Sequence, residues 1–315
     1  MLKSAEPTIP LRARPDRSFH QVWRQHWMLY VFLIPAAVAL VLFHYVPLYG
    51  IAIAFLRYNP ARGILGSPFV GLANFARFLG RAAGLEVLRN TLVIAVSKII
   101  VGQVAAICFA LLLNEMKGAA FRRIVQTTTT FPYFVSWVII GGVMLQILSS
   151  SGPVNTVVKA FGAQPIRFLG RPSVFTWTLV FSDAWKGFGF SAVIYFAALT
   201  AISPDLYEAA VVDGAGRWSR MRHVTLPGIG PTVILMSCLA LGGILNAGFE
   251  QVLVLYNPRV YATGDIIDTY VYRIGLLERD YGLGAAVGLF RSVIGFFLIL
   301  LSYWLADRLA DYRIF

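Results

Sequence analysis

The 315-residue chain is 58% hydrophobic and only 13% charged, far more apolar than an average soluble domain. Its formal net charge of +12 is dispersed, with no long basic run and no zinc-finger or other nucleic-acid motif, which excludes nucleic acid as the partner; contact with an anionic membrane surface accounts for the charge. The two cysteines, Cys108 and Cys238, both fall inside apolar stretches, which excludes a disulfide framework and reads as small buried side chains.

A hydrocarbon core of about 30 Å is crossed by roughly 20 apolar helical residues. Six stretches qualify: 27–49, 88–113, 125–148, 174–201, 229–249 and 285–306. Backbone groups inside lipid must be satisfied within their own segment, so these are expected to be helices of an all-α integral membrane protein.

In chain order, residues 1–26 are polar, with Lys3, Arg12, Arg14, Arg17, Arg24 and three prolines, and are expected to be a cytoplasmic tail. The apolar stretch that follows is longer than a signal-peptide core and lacks a small-residue cleavage site, so it is expected to be a retained helix. Pro60, Gly63, Gly66, Pro68 and Gly71 mark an irregular connection, and residues 74–79 suit a short interfacial helix. Pro132 lies early in the third stretch, where it should kink the helix. The connection 149–172 is again rich in Gly and Pro, and the loop 250–284 is the longest. One transmembrane domain, 27–306, and a short cytoplasmic tail, 307–315, complete the chain. Six spans put both termini on one side, but the two sides carry nearly equal numbers of Lys and Arg, so charge counting only weakly favours cytoplasmic termini.

The polar interruption between the fourth and fifth stretches, about 203–227, carries the most information. Ser203-Pro204-Asp205 is a helix start: a hydroxyl to cap free N–H groups, a proline suited to the first helical position, and negative charge at the positive end of the helix dipole. The helix should run 205–213 and stop at Gly214, which tolerates a left-handed backbone. A second short helix, about 217–223, should end before Pro227. The expectation is a helix–turn–helix on the membrane face, with Ala209 and Ala210 small enough for a partner's close approach.

The spacing Glu208-Ala209-Ala210, three residues, Gly214, nine residues, Val224-Thr225-Leu226-Pro227 resembles the EAA loop by which the membrane subunit of a binding-protein-dependent ABC importer engages its ATPase. Only Val224 departs from the pattern, in place of Ile. The resemblance extends from about Leu29 to Tyr303, toward the LplB-like oligosaccharide and polysaccharide branch. It is carried by Tyr45-Val46-Pro47-Leu48-Tyr49-Gly50, Ala110-Leu111-Leu112-Leu113-Asn114-Glu115, Pro132-Tyr133-Phe134-Val135-Ser136-Trp137, Gly248-Phe249-Glu250-Gln251 and Asp268-Thr269-Tyr270-Val271-Tyr272-Arg273. Tyr133 stands where the group often has His, and the last residues, 307–315, differ from the usual ending.

The resemblance implies a six-helix, type I (MetI-like) permease fold in a bacterial inner membrane, with both termini cytoplasmic. It implies coupling through Glu208, Ala209, Ala210, Asp213, Gly214, Ala215, Val224, Leu226 and Pro227. The implied partners are a second homologous permease, two ATPase subunits and an extracytoplasmic sugar-binding protein. The chain is expected to bind no cofactor or metal, ATP and Mg belonging to the ATPase subunits; it has no GxxxxGK[ST] phosphate loop.

Candidates for the substrate pathway are Asp183 and Lys186, charges inside the fourth stretch, and Trp185 between them, able to stack on a sugar ring. Tyr133 joins them, as do Asn246, Phe249 and Glu250 at the end of the fifth stretch. Each has a bland alternative: a charge that snorkels or pairs within the bundle, an interfacial cap, an aromatic belt. Lys98 and Arg291 fit that bland reading better, and Gly284-x-x-x-Gly288 reads as a close helix contact. Arginines 57, 62, 77 and 81 would suit an acidic oligosaccharide, or simply face solvent and headgroups. Two rival functions remain: a proton-coupled sugar carrier, which wants more buried acids than Asp183, and a membrane-embedded transferase, for which His20, His26, His44 and His223 are too scattered.

Overall fold

The computed structural model describes residues 19–310. Most of the expected N-terminal tail and the last five residues of the chain lie outside the described residues. The chain divides into two units, 1–51 and 52–315.

In the first unit, helix α1 (Phe19–Leu40) begins eight residues before the expected span and continues through a π turn, Val41–Tyr45. The side chains described from Trp27 to Leu48 are nearly all exposed, among them Phe32 at 81% and Phe43 at 75%. An apolar helix with no buried face belongs in lipid or against other protein.

The second unit contains α2 (Ala73–Leu79), α3 (Ala82–Glu115), α4 (Ala119–Thr130), α5 (Trp137–Ile147), α6 (Pro153–Ala160), α7 (Pro172–Thr200), α8 (Pro204–Val212), α9 (Arg217–Arg220), α10 (Leu226–Gly242), α11 (Phe249–Leu255), α12 (Ile267–Val271) and α13 (Tyr281–Ala310). Among the described residues, four helical stretches are long and apolar enough to cross a membrane alone, and six result if each of two bent pairs counts as one span. The all-helical membrane fold is as expected, but its details differ in places.

The third expected span is two helices, α4 and α5, whose axes differ by 98°. Pro132 lacks the N–H an α-helix needs and crowds the preceding turn, so the chain passes through a 3-10 turn, Phe131–Phe134. Ser136 then caps α5, its Oγ accepting from Ile139 N at 3.4 Å. The fifth expected span ends at Gly242 instead of 249, because the glycine pair 242–243 gives way to a turn that reaches Gly248 at φ +92°. The short helix expected at 74–79 forms as α2 and is anchored on one face: Asn74 and Phe78 are buried, and Asn74 Nδ2 donates to Ala54 O (2.9 Å) and Leu56 O (3.0 Å). In the expected Gly284/Gly288 contact, only Gly284 meets another backbone, at Gly275; Gly288 faces open space.

Helices α3 and α7 lie side by side and run in the same direction, Lys98 beside Asp183 and Phe109 edge-on to Phe188 at 5.0 Å. Small residues make the approach possible: Ala106, Ala110 and Ala192 are fully buried, with Tyr195, Leu199 and Ile229 completing the cluster. A larger cluster, including Phe78, Ile94, Phe175, Tyr270 and Leu283, fills the end opposite α8.

Gly189 on α7 lies against the backbone of Thr129 and Thr130, whereas a Cβ added to Gly187 on the same helix would meet nothing within 4 Å. Gly189→Val should therefore destabilise the protein by about 1–3 kcal/mol, as overpacking does. Gly187→Val should leave the thermal midpoint in detergent nearly unchanged. Equal midpoints for the two variants would contradict this packing.

Candidate functional site

Two sites stand at opposite ends of α10. The first is the α8–α9 loop, between α7 and α10. Ser203 Oγ accepts from Asp205 N (3.3 Å) and Pro204 opens α8. At the other end Gly214 N donates to Val211 O (3.0 Å) and Ala215 N to Ala210 O (2.8 Å), with Gly214 at φ +77°. This paired arrangement is a Schellman closure, and it explains the glycine at that position. Tyr207 Oη and Thr225 Oγ1, 3.1 Å apart, tie α8 to the chain's return.

The return differs from expectation. Residues 217–223 do not form a separate helix that stops before Pro227; the helix runs unbroken over Arg217–Gly242. A π turn at Met221–Thr225 widens the backbone ahead of Pro227, which relieves the clash a proline makes with the carbonyl four residues back.

Helix α8 has no buried residue and is bent 66° from α7. Glu208, Ala209, Asp213, Gly214, Leu226 and Pro227 are exposed, and Ala210, Ala215 and Val224 are half-buried. Around them stand Leu206, Val211, Val212 and Trp218, with Val212 at 87% exposure and Trp218 at 72%. The result is a braced ridge with an apolar crest and an acidic first turn, open to a partner.

The second site is a cavity of ≈ 300 Å³ among α3, α7 and α10, lined by Lys98, Gln103, Asp183, Ser191, Tyr195 and Asn246 together with glycines and apolar residues. Lys98, only 8% exposed, donates to Ala247 O (2.7 Å) and to Gln251 Oε1, and stands 3.5 Å from Asp183 Oδ1. Gln251, fully buried, donates onward to Leu179 O (2.9 Å) and Ser182 Oγ (2.8 Å). From the other side Arg291 donates to Leu245 O (3.4 Å) and Asn246 Oδ1 (3.2 Å), and pairs with Asp268 at 2.8 Å. The turn 243–248, which breaks the helix within the bundle, is thus held by two cations.

Behind it, at the end opposite α8, Asp265 pairs with Arg273 and accepts from Thr269 Oγ1 (2.7 Å). Burial pushes the Asp265 carboxyl above the usual carboxylate range, with Thr269 and Arg273 opposing the shift. Burial likewise raises Asp268, against Arg291.

Among the pathway candidates, the cavity brings together Asp183 and Asn246. Trp185, on α7 beside Asp183, faces outward and is half exposed. Lys186 donates to Tyr133 O (2.7 Å) and stands over the Tyr133 and Trp137 rings, so Lys186 and Tyr133 meet at the α4–α5 break, not at the cavity. Phe249 packs against Tyr272, and Glu250 is exposed in the first turn of α11. Gln103 and Ser191 were not legible as lining residues. A lone neutral polar residue in an apolar helix gives no charge signal, although Gln103 accepts from Ser237 Oγ at 3.1 Å.

Residues 98–311 match the family described as "binding-protein-dependent transport system inner membrane component". The chain belongs to this family. It is 38% identical over 292 residues to the polygalacturonan/rhamnogalacturonan transport system permease protein YteP of Bacillus subtilis, covering 92% of this chain and 91% of that one. It is 37% identical over 286 residues to protein LplB of the same organism, covering 90% of each. Its fold is similar to a chain of a bacterial alginate ABC transporter, solved in complex with alginate pentasaccharide-bound periplasmic protein: TM-score 0.83, 33% identity, covering 94% of this chain and 99% of that chain. As a member of this family the chain is a permease subunit of an inner-membrane ABC importer, and not an enzyme.

The two cation contacts predict an order of stability. Lys98→Met strands Ala247 O and Gln251 Oε1, at about 1–3 kcal/mol for each buried unmet acceptor. Asp183→Asn leaves both of those bonds in place. The thermal midpoint in detergent should fall clearly for Lys98→Met and little for Asp183→Asn; the reverse order would show that Asp183, and not the turn, is what Lys98 serves.

Proposed function

We propose that this permease is one of two membrane halves of an importer for acidic oligosaccharides, coupled to ATP hydrolysis through the α8–α9 loop. The observation that carries the coupling role is the ridge itself: a helix with no buried face, capped at both ends and tied at Tyr207–Thr225, with the EAA-to-Pro spacing intact. An exposed apolar crest of that kind calls for a protein partner. In this reading the loop faces the cytoplasm, both termini lie on that side, and one ATPase subunit grips this loop while a second grips that of a homologous permease. ATP and Mg belong to those subunits.

The acidic substrate class is supported by the relatives. Polygalacturonan and alginate are both uronate polymers, and the proteins named for them align over nearly the whole chain. A solute-binding protein would deliver the oligomer at the end opposite α8. The cavity with Asp183, Gln103, Ser191 and Asn246 offers hydroxyl acceptors and amide donors suited to sugar edges, with Phe188 and Tyr195 as apolar surface.

Movement follows from continuity. Arg217–Gly242 is one 26-residue helical stretch, so displacement at the loop is carried toward the turn 243–248. ATP drives transport only if its binding favours one arrangement of that stretch over the other. A proton-coupled carrier has no use for the exposed ridge.

The test is ATPase stimulation in liposomes containing this chain, its second permease, its ATPase and its binding protein. An oligouronate-loaded binding protein should stimulate strongly, and a neutral oligomer of equal length should not. Glu208→Lys and Gly214→Val, the latter straining the φ +77° position by about 1–2 kcal/mol, should abolish stimulation while the complex stays assembled. Normal stimulation in both variants would remove the coupling role, and equal stimulation by neutral oligomers would remove the acidic class.

A further inference from the structure

The stretch 149–172, between α5 and α7, contains no Asp or Glu but carries Lys159, Arg167 and Arg171. It is a built loop. Asn155, fully buried, donates to Ser149 O (2.8 Å) and Ile166 O (3.0 Å) and accepts from Ile166 N (2.7 Å). Asn257 donates to Leu169 O (2.7 Å) and accepts from Arg259 N (3.1 Å), which fixes the Arg259 turn against the Arg167 loop. Between them lies a cleft of ≈ 440 Å³ lined by Ser149, Ser150, Arg167, Gly170 and Arg259.

Three arginines of the bundle have acidic partners: Arg77 with Asp280, Arg273 with Asp265, Arg291 with Asp268. Among the described residues Arg167 and Arg259 make no ion pair. Two guanidinium groups lining one polar cleft, on loops held in place by Asn155 and Asn257, are a receptor for an oxyanion.

The cleft does not end there. Leu148 and Phe168 also line a second, almost wholly apolar groove of ≈ 680 Å³ that descends between α5 and α7 past Met144, Trp177, Phe181 and Trp185. From Val174 to Trp185 the groove follows α7 for about 16 Å, at 1.5 Å per residue. That is close to one leaflet of a hydrocarbon core about 30 Å thick. A charged mouth at the ends of two spans, opening into an apolar channel one leaflet deep, has the dimensions and polarity of one kind of ligand.

We propose that this is a binding site for an anionic phospholipid, its phosphate between Arg167 and Arg259 and an acyl chain in the groove beneath. A carboxylate from a docking protein would use the arginines but leave the apolar groove empty. A neighbouring membrane helix would fill the groove but leave two guanidinium groups unpaired. Only an amphiphile with a negative head matches both parts. The inference goes beyond the importer reading and needs only that the chain is embedded in a membrane.

The experiment uses the chain assembled with its partner subunits, washed in detergent and examined by native mass spectrometry, then placed in phosphatidylcholine nanodiscs with or without phosphatidylglycerol. Wild type should retain an anionic phospholipid and gain thermal stability from phosphatidylglycerol. The Arg167→Gln/Arg259→Gln double variant should hold that lipid roughly tenfold or more weakly, as loss of charge-assisted bonds implies, and lose the thermal gain. Val174→Trp, which fills the groove and leaves both arginines, should lose it too. Equal lipid retention by either variant would overturn the proposal. So would a double variant that keeps its lipid response but loses stimulation by the binding protein in pure phosphatidylcholine, which would assign the arginines to a docking carboxylate. Neither lipid readout depends on which solute is transported.

Discussion

The structure depends on how it satisfies a helix break inside an apolar bundle. In hydrocarbon an unpaired carbonyl has no water to turn to, at a cost of several kcal/mol. The turn 243–248 frees such carbonyls, and Lys98 and Arg291 supply the donors, from α3 on one side and α13 on the other. Each cation carries its own counter-charge, Asp183 and Asp268. The break is therefore not a weak point in the bundle but the place where α3, α7, α10, α13 and the loop preceding α13 are joined. Gly248 is favoured there by its positive φ, and a Cβ would come within 2.6 Å of Lys98 Nζ and push that ammonium off the turn.

This arrangement gives the cavity its character. Lys98 and its counter-charge Asp183, which hold one side of the turn, also line the space beside it, so part of the polar surface within the bundle is a by-product of stabilising the break. It also places that surface at one end of the Arg217–Gly242 helix, whose other end is the exposed ridge. Two features far apart in the bundle share a single rigid element, and π turns and prolines lie at its loop end, where curvature can be absorbed.

The ridge was legible because its determinants are local. Ser203, Pro204, Gly214 and the EAA spacing act within a few residues, through capping and backbone conformation, and the observed caps follow that chemistry closely. The kink at Pro132 was legible for the same reason, although a 98° reversal of two half-helices needed the 3-10 turn and the Ser136 cap as well. The extension of the helix through Pro227 was not, because it depends on a π turn that no residue pattern announces.

The chain's apolar composition and spacing by themselves determined its solvent, its helical class, the approximate number of spans and the position of the exposed ridge. These follow from hydrophobicity and local backbone chemistry, which act along the chain. Only the tertiary structure decided which intramembrane polar groups meet. Lys98 and Asp183 are 85 positions apart and Arg291 and Asn246 are 45, and nothing in a sequence orients a side chain around a helix of nearly uniform hydrophobicity. Trp185 and Asp183 illustrate the point: neighbours in sequence, they sit on different faces of α7, one toward the cavity and one toward the outside, because a helix turns by about 100° per residue.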